Sequence, residues 1–226
     1  MTEKPRYDFH MHTFFSDGEL LPIELIRRAS VLGNRAIAIT DHASYSNVDY
    51  LVPAIARDCD AVEGWNITAI PGVEITHVPP KKMDAIIKKA RKAGAKIIVV
   101  HGESPVEPVA PGTNRQAAMN PDVDIIAHPG HITADEAQLA KDNGIYLEIT
   151  CRSGHMNTNG HVFQIGSSVG ANFLVNTDAH ECGDISTHTS AKRIAIGAGM
   201  SRSDIEKALL KNPLELMKKQ AIKLRK

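Results

Sequence analysis

The sequence has few aromatic residues and no excess of either charge. Only 4% of its 226 residues are aromatic, so side chains that could stack on the bases of single-stranded nucleic acid are scarce. Lysine plus arginine and aspartate plus glutamate both number 26, which gives a formal net charge of zero. A general attraction to nucleic acid or to anionic lipid is therefore not built into the composition. Nucleic acid stays possible as a partner but is not favoured.

The sequence also lacks signs of export and of membrane anchoring. Its three cysteines, Cys59, Cys151 and Cys182, form no disulfide framework and indicate reduced thiols. No apolar signal segment follows the first residues. The longest apolar runs, such as residues 97–100, fall far short of the ~20 residues that span a bilayer. These features favour a cytoplasmic protein with no membrane partner.

Short apolar runs alternate with helical patterns along the chain. Seven runs begin near residues 7, 36, 68, 96, 123, 146 and 172, which are 23 to 32 residues apart. A strand, a helix and their loops take about 30 residues in a βαβ unit, and continuous apolar strands suit a parallel sheet covered by helices. The pattern predicts one α/β domain over residues 1–226, folded as a closed or nearly closed TIM-barrel-like barrel. An open doubly wound sheet is the alternative.

Local signals mark several helix ends between these runs. One helix is predicted from apolar residues at helical spacing followed by a terminating glycine, at Met83, Ile86, Ile87, Ala90 and Gly94. Thr133 and Glu136 have the spacing of a capping box, in which two side chains satisfy the first free backbone groups of a helix. Ser203 and Glu206 have the same spacing, which predicts a second capping box near the C-terminus.

Histidines and carboxylates stand where the apolar runs end. In a barrel of this kind the carboxyl ends of the strands meet at one rim, where active sites lie. The candidate metal ligands at these ends are His10, His12, Asp17, His42, Glu74, His101, His128, Asp178 and His180. Imidazole and carboxylate groups bind zinc, manganese and iron, and zinc usually takes about four ligands. Nine groups exceed the needs of one ion, so the sequence predicts two or three divalent metal ions.

The motifs at these positions resemble, in order and in sequence, those of the PHP (polymerase and histidinol phosphatase) family. They are H-x-H-T-x-x-S-D-G over residues 10–18, Thr40-Asp41-His42, Gly72-Val73-Glu74, His101, Ala127-His128-Pro129 and Asp178-Ala179-His180. The resemblance implies a distorted (β/α)7 barrel with a trinuclear metal site. It assigns His10, His12, Glu74 and Asp178 to one ion, Glu74, His101 and His128 to a second, and Asp17, His42 and His180 to a third.

The resemblance implies a metal-dependent phosphoric ester hydrolase, similar to histidinol phosphatases, that attacks a small phosphomonoester with a metal-activated hydroxide. Asp178 and His180 are then expected beside the reacting atoms. Arg152 follows the sixth run and is expected to hold the phosphate with its guanidinium fork, unless it forms a structural ion pair. Arg115 is a weaker candidate for that role. Asp41 is expected to orient His42.

Other residues have a plainer interpretation. Cys151 stands next to a cation, but no Cys-x5-Arg phosphate loop is present, so we expect a small buried hydrophobe rather than a nucleophile. The remaining histidines fall outside the pattern of strand ends. We expect His77, His155, His161 and His188 not to be ligands, and the role of His131 stays open.

Three other functions stay open. A phosphodiesterase or 3′–5′ exonuclease, or a nucleotide phosphatase, would use the same ligands on a different ester. A non-catalytic barrel that binds a partner is disfavoured because all nine ligand positions are filled. A metal-dependent hydrolase of C–N bonds also begins with H-x-H, but the S-D-G and T-D-H motifs fit the PHP family better. The substrate, the oligomeric state and the role of residues 152–160 are not fixed by the sequence.

Overall fold

Eight strands form the frame of the protein in a computed structural model, which describes residues 4–225. Each predicted apolar run contains one of them. The strands are β1 Arg6–Asp8, β2 Asn34–Ile39, β3 His42–Ala43, β4 Thr68–Ile75, β5 Ile97–His101, β6 Ile125–Ala127, β7 Tyr146–Thr150 and β8 Asn172–Asn176. The two-residue strand β3 was not predicted from the sequence.

The strands are parallel and follow the order β1-β2-β4-β5-β6-β7-β8, with β3 pairing to the end of β4. The two edges approach each other just beyond the ends of β1 and β8, where Met11 and Ala179 form a parallel bridge. There the N–H of His12 donates to the carbonyl of Ala179 at 2.8 Å, and the N–H of Asp178 donates to the carbonyl of His10 at 2.9 Å. The nearly closed TIM-barrel-like fold is confirmed, and the open doubly wound alternative is wrong.

Helices cover the outside of the sheet. They are α1 Pro22–Val31, α2 Val48–Ala61, α3 Met83–Ala93, α4 Thr113–Met119, α5 Ala134–Asp142, α6 Asn159–Val169, α7 His188–Gly197, α8 Arg202–Glu206 and α9 Asn212–Lys219. A π-helical turn, Lys207–Lys211, joins the last two. Short 3-10 turns lie at Pro80–Lys82, His155–Thr158 and Cys182–Asp184. Within residues 4–225, none of the helices combines the length and the apolar character needed to cross a membrane.

The helix ends test the capping predictions. Gly94 ends α3 with a φ of 110°, a left-handed conformation that a side chain would disfavour, and Thr133 with Glu136 forms the predicted capping box of α5. The capping box predicted at Ser203 is wrong. Ser201 caps α8 with Asp204, because Ser203 already lies inside the helix.

The apolar core has two layers. The larger layer packs between the sheet and the surrounding helices. The smaller one fills the barrel interior, where Phe9, Ile70 and Val99 lie together. Leu216 and Met217 of α9 join this inner cluster. Residues 1–3 and 226 lie outside the described part, so the single domain over residues 1–226 stays a prediction.

Candidate metal centre

The alternation of side chains along each strand carries polar groups into the top of the barrel. In β5, Ile97 and Val99 belong to the inner apolar cluster, and His101 continues the same face. In β4, Glu74 follows Ile70 by four residues and therefore shares its face. The barrel interior is thus apolar below and polar at the carboxyl edge of the sheet.

The structure brings all nine candidate ligands together at this edge. They fall into four overlapping groups whose donor atoms lie within 4.8 Å of one another. The groups are His12-Asp17-His42-His180, His10-His128-Asp178, His10-His12-Glu74 and Glu74-His101-His128. The sets that the resemblance assigns to the second and third ions are each contained in one group. The set assigned to the first ion is split between two groups.

The outermost group is built around Asp17. Its Oδ2 lies 3.4 Å from Nε2 of His42 and 3.2 Å from Nε2 of His180. The Nδ1 of His180 lies 2.9 Å from the carbonyl of Asp178, an acceptor, so in the neutral ring Nδ1 carries the proton and Nε2 keeps its lone pair. Asp17 is half exposed, which places this group at the mouth of the site.

The innermost group is His10-His12-Glu74, and a second buried carboxylate, Asp178, lies beside both of its rings. The Nε2 of His10 lies 3.3 Å from Oε1 of Glu74 and 3.5 Å from Oδ1 of Asp178. The Nε2 of His12 lies 3.2 Å from that same Oδ1 and 3.7 Å from Oε2 of Glu74. Both carboxylates therefore face both rings.

Glu74 and Asp178 also lie close to the ring of His128. The Nε2 of His128 lies 3.6 Å from Oε1 of Glu74 and 3.6 Å from Oδ2 of Asp178. A carboxylate has two oxygens and can contact two ions at once. Glu74 is thus placed between the inner group and the group that contains His101 and His128.

The carboxylates are ionised at neutral pH. Burial by itself would raise the pKa of Glu74, but the rings of His10, His101 and His42 hold that pKa well below its usual value. Burial opposes the same effect at Asp178 and Asp17, where neighbouring histidines also lower the pKa. Burial lowers the pKa of His128 to about 4, which keeps that imidazole neutral. At His10, His42, His101 and His180 the nearby carboxylates outweigh burial and raise the pKa, to about 10 at His42, so these rings share protons with the carboxylates. Metal binds to ionised carboxylates and neutral imidazoles, so an ion entering this site would displace those protons.

The donor set fits divalent cations. Nε2 of His10 and Nε2 of His12 lie 3.1 Å apart, a contact between two ring nitrogens that needs a proton or a cation to be favourable. Buried atoms without a hydrogen-bond partner include Nδ1 of His12, Oε1 of Glu74 and Nδ1 of His128. Such atoms are costly unless something else binds them. Their role as metal ligands stays a prediction.

The backbone is strained at this site. Four non-glycine residues between 4 and 225 have a positive φ, and three of them are His128 and Asp178, which belong to the cluster, and His77, which lies beside it. The values are 26°, 54° and 51°. Conformations of this kind cost about 1–3 kcal/mol each and concentrate at functional sites.

Glu148 is a part of the site that the sequence did not reveal. Its side chain is fully buried, and its Oε2 accepts a hydrogen bond from Nδ1 of His10 at 2.8 Å and one from the amide of Asn176 at 3.0 Å. Its Oε1 accepts from the N–H of His128 at 3.2 Å. In the sequence, Glu148 is only a single polar residue inside an apolar strand. It lies two residues after Tyr146, which belongs to the inner apolar cluster, and this spacing was the signal that its side chain points into the barrel.

The prediction that Asp41 orients His42 is wrong. The carboxylate of Asp41 accepts the N–H and the hydroxyl of Thr13, both at 2.7 Å, and the hydroxyl of Ser16 at 2.7 Å. It therefore holds the loop that carries Asp17. The ring of His42 is instead held by its Nδ1, which lies 2.7 Å from the hydroxyl of Thr76.

The two candidate arginines lie away from the nine ligands. Arg152 pairs with Asp184 at 3.0 Å, and the same Asp184 oxygen accepts the N–H of His180 at 2.9 Å. Arg152 lines a cavity of about 380 Å³, whereas Asp17 and His42 line another of about 520 Å³. Arg115 is exposed on α4. The role of Arg152 as a phosphate clamp stays a prediction.

Two of the histidines expected not to be ligands lie beside the cluster. The ring of His155 is 4.3 Å from that of His128, and the ring of His77 is 5.2 Å from that of His101. His161 lies elsewhere, with Nε2 2.9 Å from the carbonyl of Ile132. His131 lies near it, at 5.4 Å between ring centroids. His188 has its Nδ1 3.2 Å from the carbonyl of Pro5.

Cys151 is only partly buried, whereas the sequence predicted full burial, but its environment disfavours a nucleophile as expected. Burial raises the pKa of its thiol to about 12, so the thiolate is scarce at neutral pH. Its side chain packs against the larger apolar layer. A nucleophilic role has no support in this environment.

Comparison with known proteins identifies the family. Residues 8–167 match the PHP domain. The uncharacterized protein MJ1295 of Methanocaldococcus jannaschii is 49% identical over 217 residues, which cover 95% of this chain and 99% of that protein. Ribonuclease P protein component 3 of Methanosarcina mazei is 25% identical over 94% of this chain and 89% of that protein. DNA polymerase/3'-5' exonuclease PolX of Bacillus subtilis is 27% identical over 82% of this chain but only 36% of that protein.

Solved structures share the fold at low identity. A chain in the cryo-EM structure of archaeal ribonuclease P with mature tRNA aligns with a TM-score of 0.70 at 14% identity, covering 94% of this chain and 90% of that one. A candidate histidinol phosphatase, hisK of Listeria monocytogenes, aligns with a TM-score of 0.60 at 12% identity, covering 82% and 99%. With the domain match and the nine motif residues gathered at one edge of the barrel, the chain belongs to the PHP domain family.

Proposed function

We propose that the protein is a metal-dependent phosphoesterase that hydrolyses a small phosphomonoester. The observation that carries this proposal is the convergence of six histidines and three carboxylates at the open edge of the barrel, given in the groups above. Bound divalent ions, such as zinc, manganese or iron, would supply a water of lowered pKa and neutralise phosphoryl oxygens. Two or three ions would use the nine residues fully.

The residues of the chain have separate tasks in this proposal. Glu74 and Asp178 are ionised and face several imidazoles each, so they hold adjacent ions near one another. Asp178 and His180 lie beside the reacting atoms. Glu148 fixes the ring of His10 through Nδ1, which leaves Nε2 directed at the carboxylates.

The cavity at the mouth suits a small phosphorylated molecule. It has a volume of about 520 Å³ and is lined by polar groups that include Ser16, Asp17, His42 and Thr76. Pockets for small ligands typically measure about 300–1,000 Å³. Hydroxyls and imidazoles in this wall could hydrogen-bond to the phosphate and to the alcohol part of the substrate.

Arg152 remains our candidate for a phosphate clamp. It would have to leave Asp184, and the side chains of this ion pair are about a third exposed. Because the pair is about two-thirds buried, its release costs more than the about 0–1 kcal/mol of an exposed pair, and contact with the phosphate would have to offset that cost. Replacement of Arg152 by lysine should then raise KM because the bidentate fork is lost.

Release of inorganic phosphate tests the proposal. The substrates are a panel of phosphomonoesters, including histidinol phosphate, AMP and sugar phosphates, each offered with Mn²⁺ or Zn²⁺ and with a chelator control. We expect release from at least one member, abolished by the chelator. No release from any member by a metal-loaded sample would contradict a phosphomonoesterase.

Phosphodiester cleavage is a second candidate, favoured by a different observation. Phe14 is 49% exposed and stacks on Phe15 at 4.5 Å, in the loop that also carries Asp17. An exposed aromatic ring beside a metal site can stack on a nucleobase. Two relatives, ribonuclease P protein component 3 and PolX, carry names linked to nucleic acid. Metal-dependent shortening of a labelled oligonucleotide, lost in Phe14→Ala, would support this candidate over the first.

A further inference from the structure

Glu107 is a carboxylate that neither the family motifs nor the nine ligands include. It lies on the β5–α4 loop, residues 102–112, and lines the mouth cavity. Its Oε2 lies 3.0 Å from Nε2 of His101 and 3.5 Å from Nε2 of His77. Its Oε1 lies 3.3 Å from Nε2 of His155. One carboxylate therefore faces three imidazoles, and one of these belongs to the metal centre.

The loop holds Glu107 in this place. At its base, the N–H of Glu103 donates to the side chain of Asn114 at 3.0 Å, and the N–H of Asn114 donates back to Glu103 at 2.9 Å. The loop contains three prolines, which restrict its backbone. Near its tip, Val106 lies against Gly154, where an added Cβ would be 3.6 Å from the valine. The position of the carboxylate is thus built into the loop.

The hydrogen bonding of His101 decides what its Nε2 offers. Its Nδ1 lies 3.2 Å from the carbonyl of Gly102, an acceptor only, so Nδ1 carries the proton in the neutral ring. Nε2 then directs a lone pair at Glu107. Two electron-pair donors 3.0 Å apart repel each other unless a proton or a cation lies between them.

The distances suit co-ligands of one ion. Two donors that each lie about 2.0–2.2 Å from a tetrahedral ion are roughly 3.4 Å apart. The contacts of Glu107 with His101, His155 and His77 are 3.0, 3.3 and 3.5 Å. Glu107 belongs to the group His77-His101-Glu107 and not to the group Glu74-His101-His128, and His101 is the residue that the two groups share.

We propose that Glu107 is a further metal ligand, which the β5–α4 loop places beside His101 and His77 at the edge of the metal centre. This inference rests on the metal centre of the proposed function. His155 contacts the other oxygen of the carboxylate and helps to hold it in place. An incoming phosphoryl oxygen would compete with Glu107 for the same ion, so the loop gives the site a displaceable ligand.

Co²⁺ loading of the Glu107→Gln variant tests this inference without any substrate. Glutamine keeps the size of the side chain and removes the anionic oxygen. Apo protein is titrated with Co²⁺, the visible absorption of the bound ion is recorded, and bound metal is counted after dialysis. The matched control is Glu63→Gln, which removes an exposed carboxylate in the turn that follows α2.

We expect Glu107→Gln to bind its weakest ion at least about 100-fold less tightly, since loss of a ligand should exceed the 10–100-fold cost of losing an outer partner. We also expect its absorption band to change, whereas a residue that only shapes the loop would leave the band as it is. Glu63→Gln should match the wild type in both respects. Equal affinity and equal spectra for the two variants would overturn the inference.

The outcomes separate this inference from the proposed function. A wild-type protein that binds no Co²⁺ overturns both. A metal-loaded wild type whose Glu107→Gln variant behaves like the control overturns the ligand role alone. Weaker binding in Glu107→Gln, combined with no phosphate release from any ester, supports the ligand and contradicts the phosphoesterase. Melting of the chelated variants at the wild-type temperature shows that the fold is retained.

Discussion

Glu148 accepts a hydrogen bond from Nδ1 of His10 at 2.8 Å, and the opposite nitrogen of that ring lies 3.3 Å from Glu74. This bond fixes both the tautomer and the orientation of the imidazole, as carboxylates behind metal-binding histidines commonly do. Glu148 is fully buried, and burial alone would raise the pKa of its carboxyl. His10 overcomes this effect and lowers the pKa, so the bond joins an anion to a ring N–H.

Replacement of Glu148 by glutamine should weaken metal binding while leaving the nine ligands in place. Glutamine has nearly the same shape but no negative charge, so the imidazole of His10 becomes a poorer donor. We expect affinity for the metal to fall by about 10–100-fold. Equilibrium dialysis with Zn²⁺ measures this, with Glu63→Gln as the control. Equal affinity in the two variants would show that Glu148 has no part in the site.

Asp178→Asn should remove a ligand without disturbing the backbone. Asp178 has a φ of 54°, a conformation that asparagine tolerates much better than alanine does. We expect turnover to fall at least about 100-fold, since loss of a ligand should exceed the cost of losing an outer partner. Phosphate release is measured beside circular-dichroism melting in chelator. Near-normal turnover at saturating metal would sink the assignment of Asp178.

Metal should stabilise the folded chain. An ion that binds only the folded state, at about 100 times its Kd, adds about 2.7 kcal/mol. For a domain of this size, that corresponds to a rise of about 5–10 °C in Tm. Thermal melting with Mn²⁺ or Zn²⁺ and with chelator provides the comparison, and Asp178→Asn should show a smaller rise. A Tm unaffected by metal in the wild type contradicts this expectation.

The three thiols should differ sharply in reactivity. Cys182 is exposed, whereas burial raises the pKa of Cys59 far above its usual value and that of Cys151 to about 12. The thiolate is the reactive form, so alkylation at pH 8 should label Cys182 quickly and the other two only slowly. Raising the pH to 9 should speed labelling of Cys151 about tenfold, but labelling stays slow because the thiolate is still well under about 1% of that thiol. Mass spectrometry of iodoacetamide-treated protein, still folded, counts the labels. Rapid labelling of Cys151 would contradict its burial.

Much of the site could be predicted because parallel strands bring their carboxyl ends to one edge. A histidine or carboxylate at the end of an apolar run, such as His101 or His128, can therefore be assigned to this edge from the sequence alone. Glu148 was missed because it lies inside a run, where one polar residue gives no sign of which side chain it meets. Its partner His10 is 138 residues away in the chain.

Loops and neighbouring residues were harder to predict for physical reasons. Glu107 belongs to a loop without periodicity, so its approach to His101 depends on the anchored base of the loop. Asp41 precedes His42 in sequence, but adjacent residues in an extended chain face opposite sides, which directs Asp41 toward Thr13. The cap of α8 was predicted at Ser203 but is Ser201. Each of these serines is followed three residues later by a carboxylate, Glu206 or Asp204, so the spacing alone could not distinguish them.

The metal content of the purified chain tests the central claim most directly. The protein is loaded with Zn²⁺ or Mn²⁺, dialysed against metal-free buffer and analysed by inductively coupled plasma mass spectrometry beside Asp178→Asn. We predict two or three ions per wild-type chain, fewer in the variant, and none after treatment with a strong chelator. Less than one ion per wild-type chain, with either metal, would contradict a PHP-type metal centre in this protein.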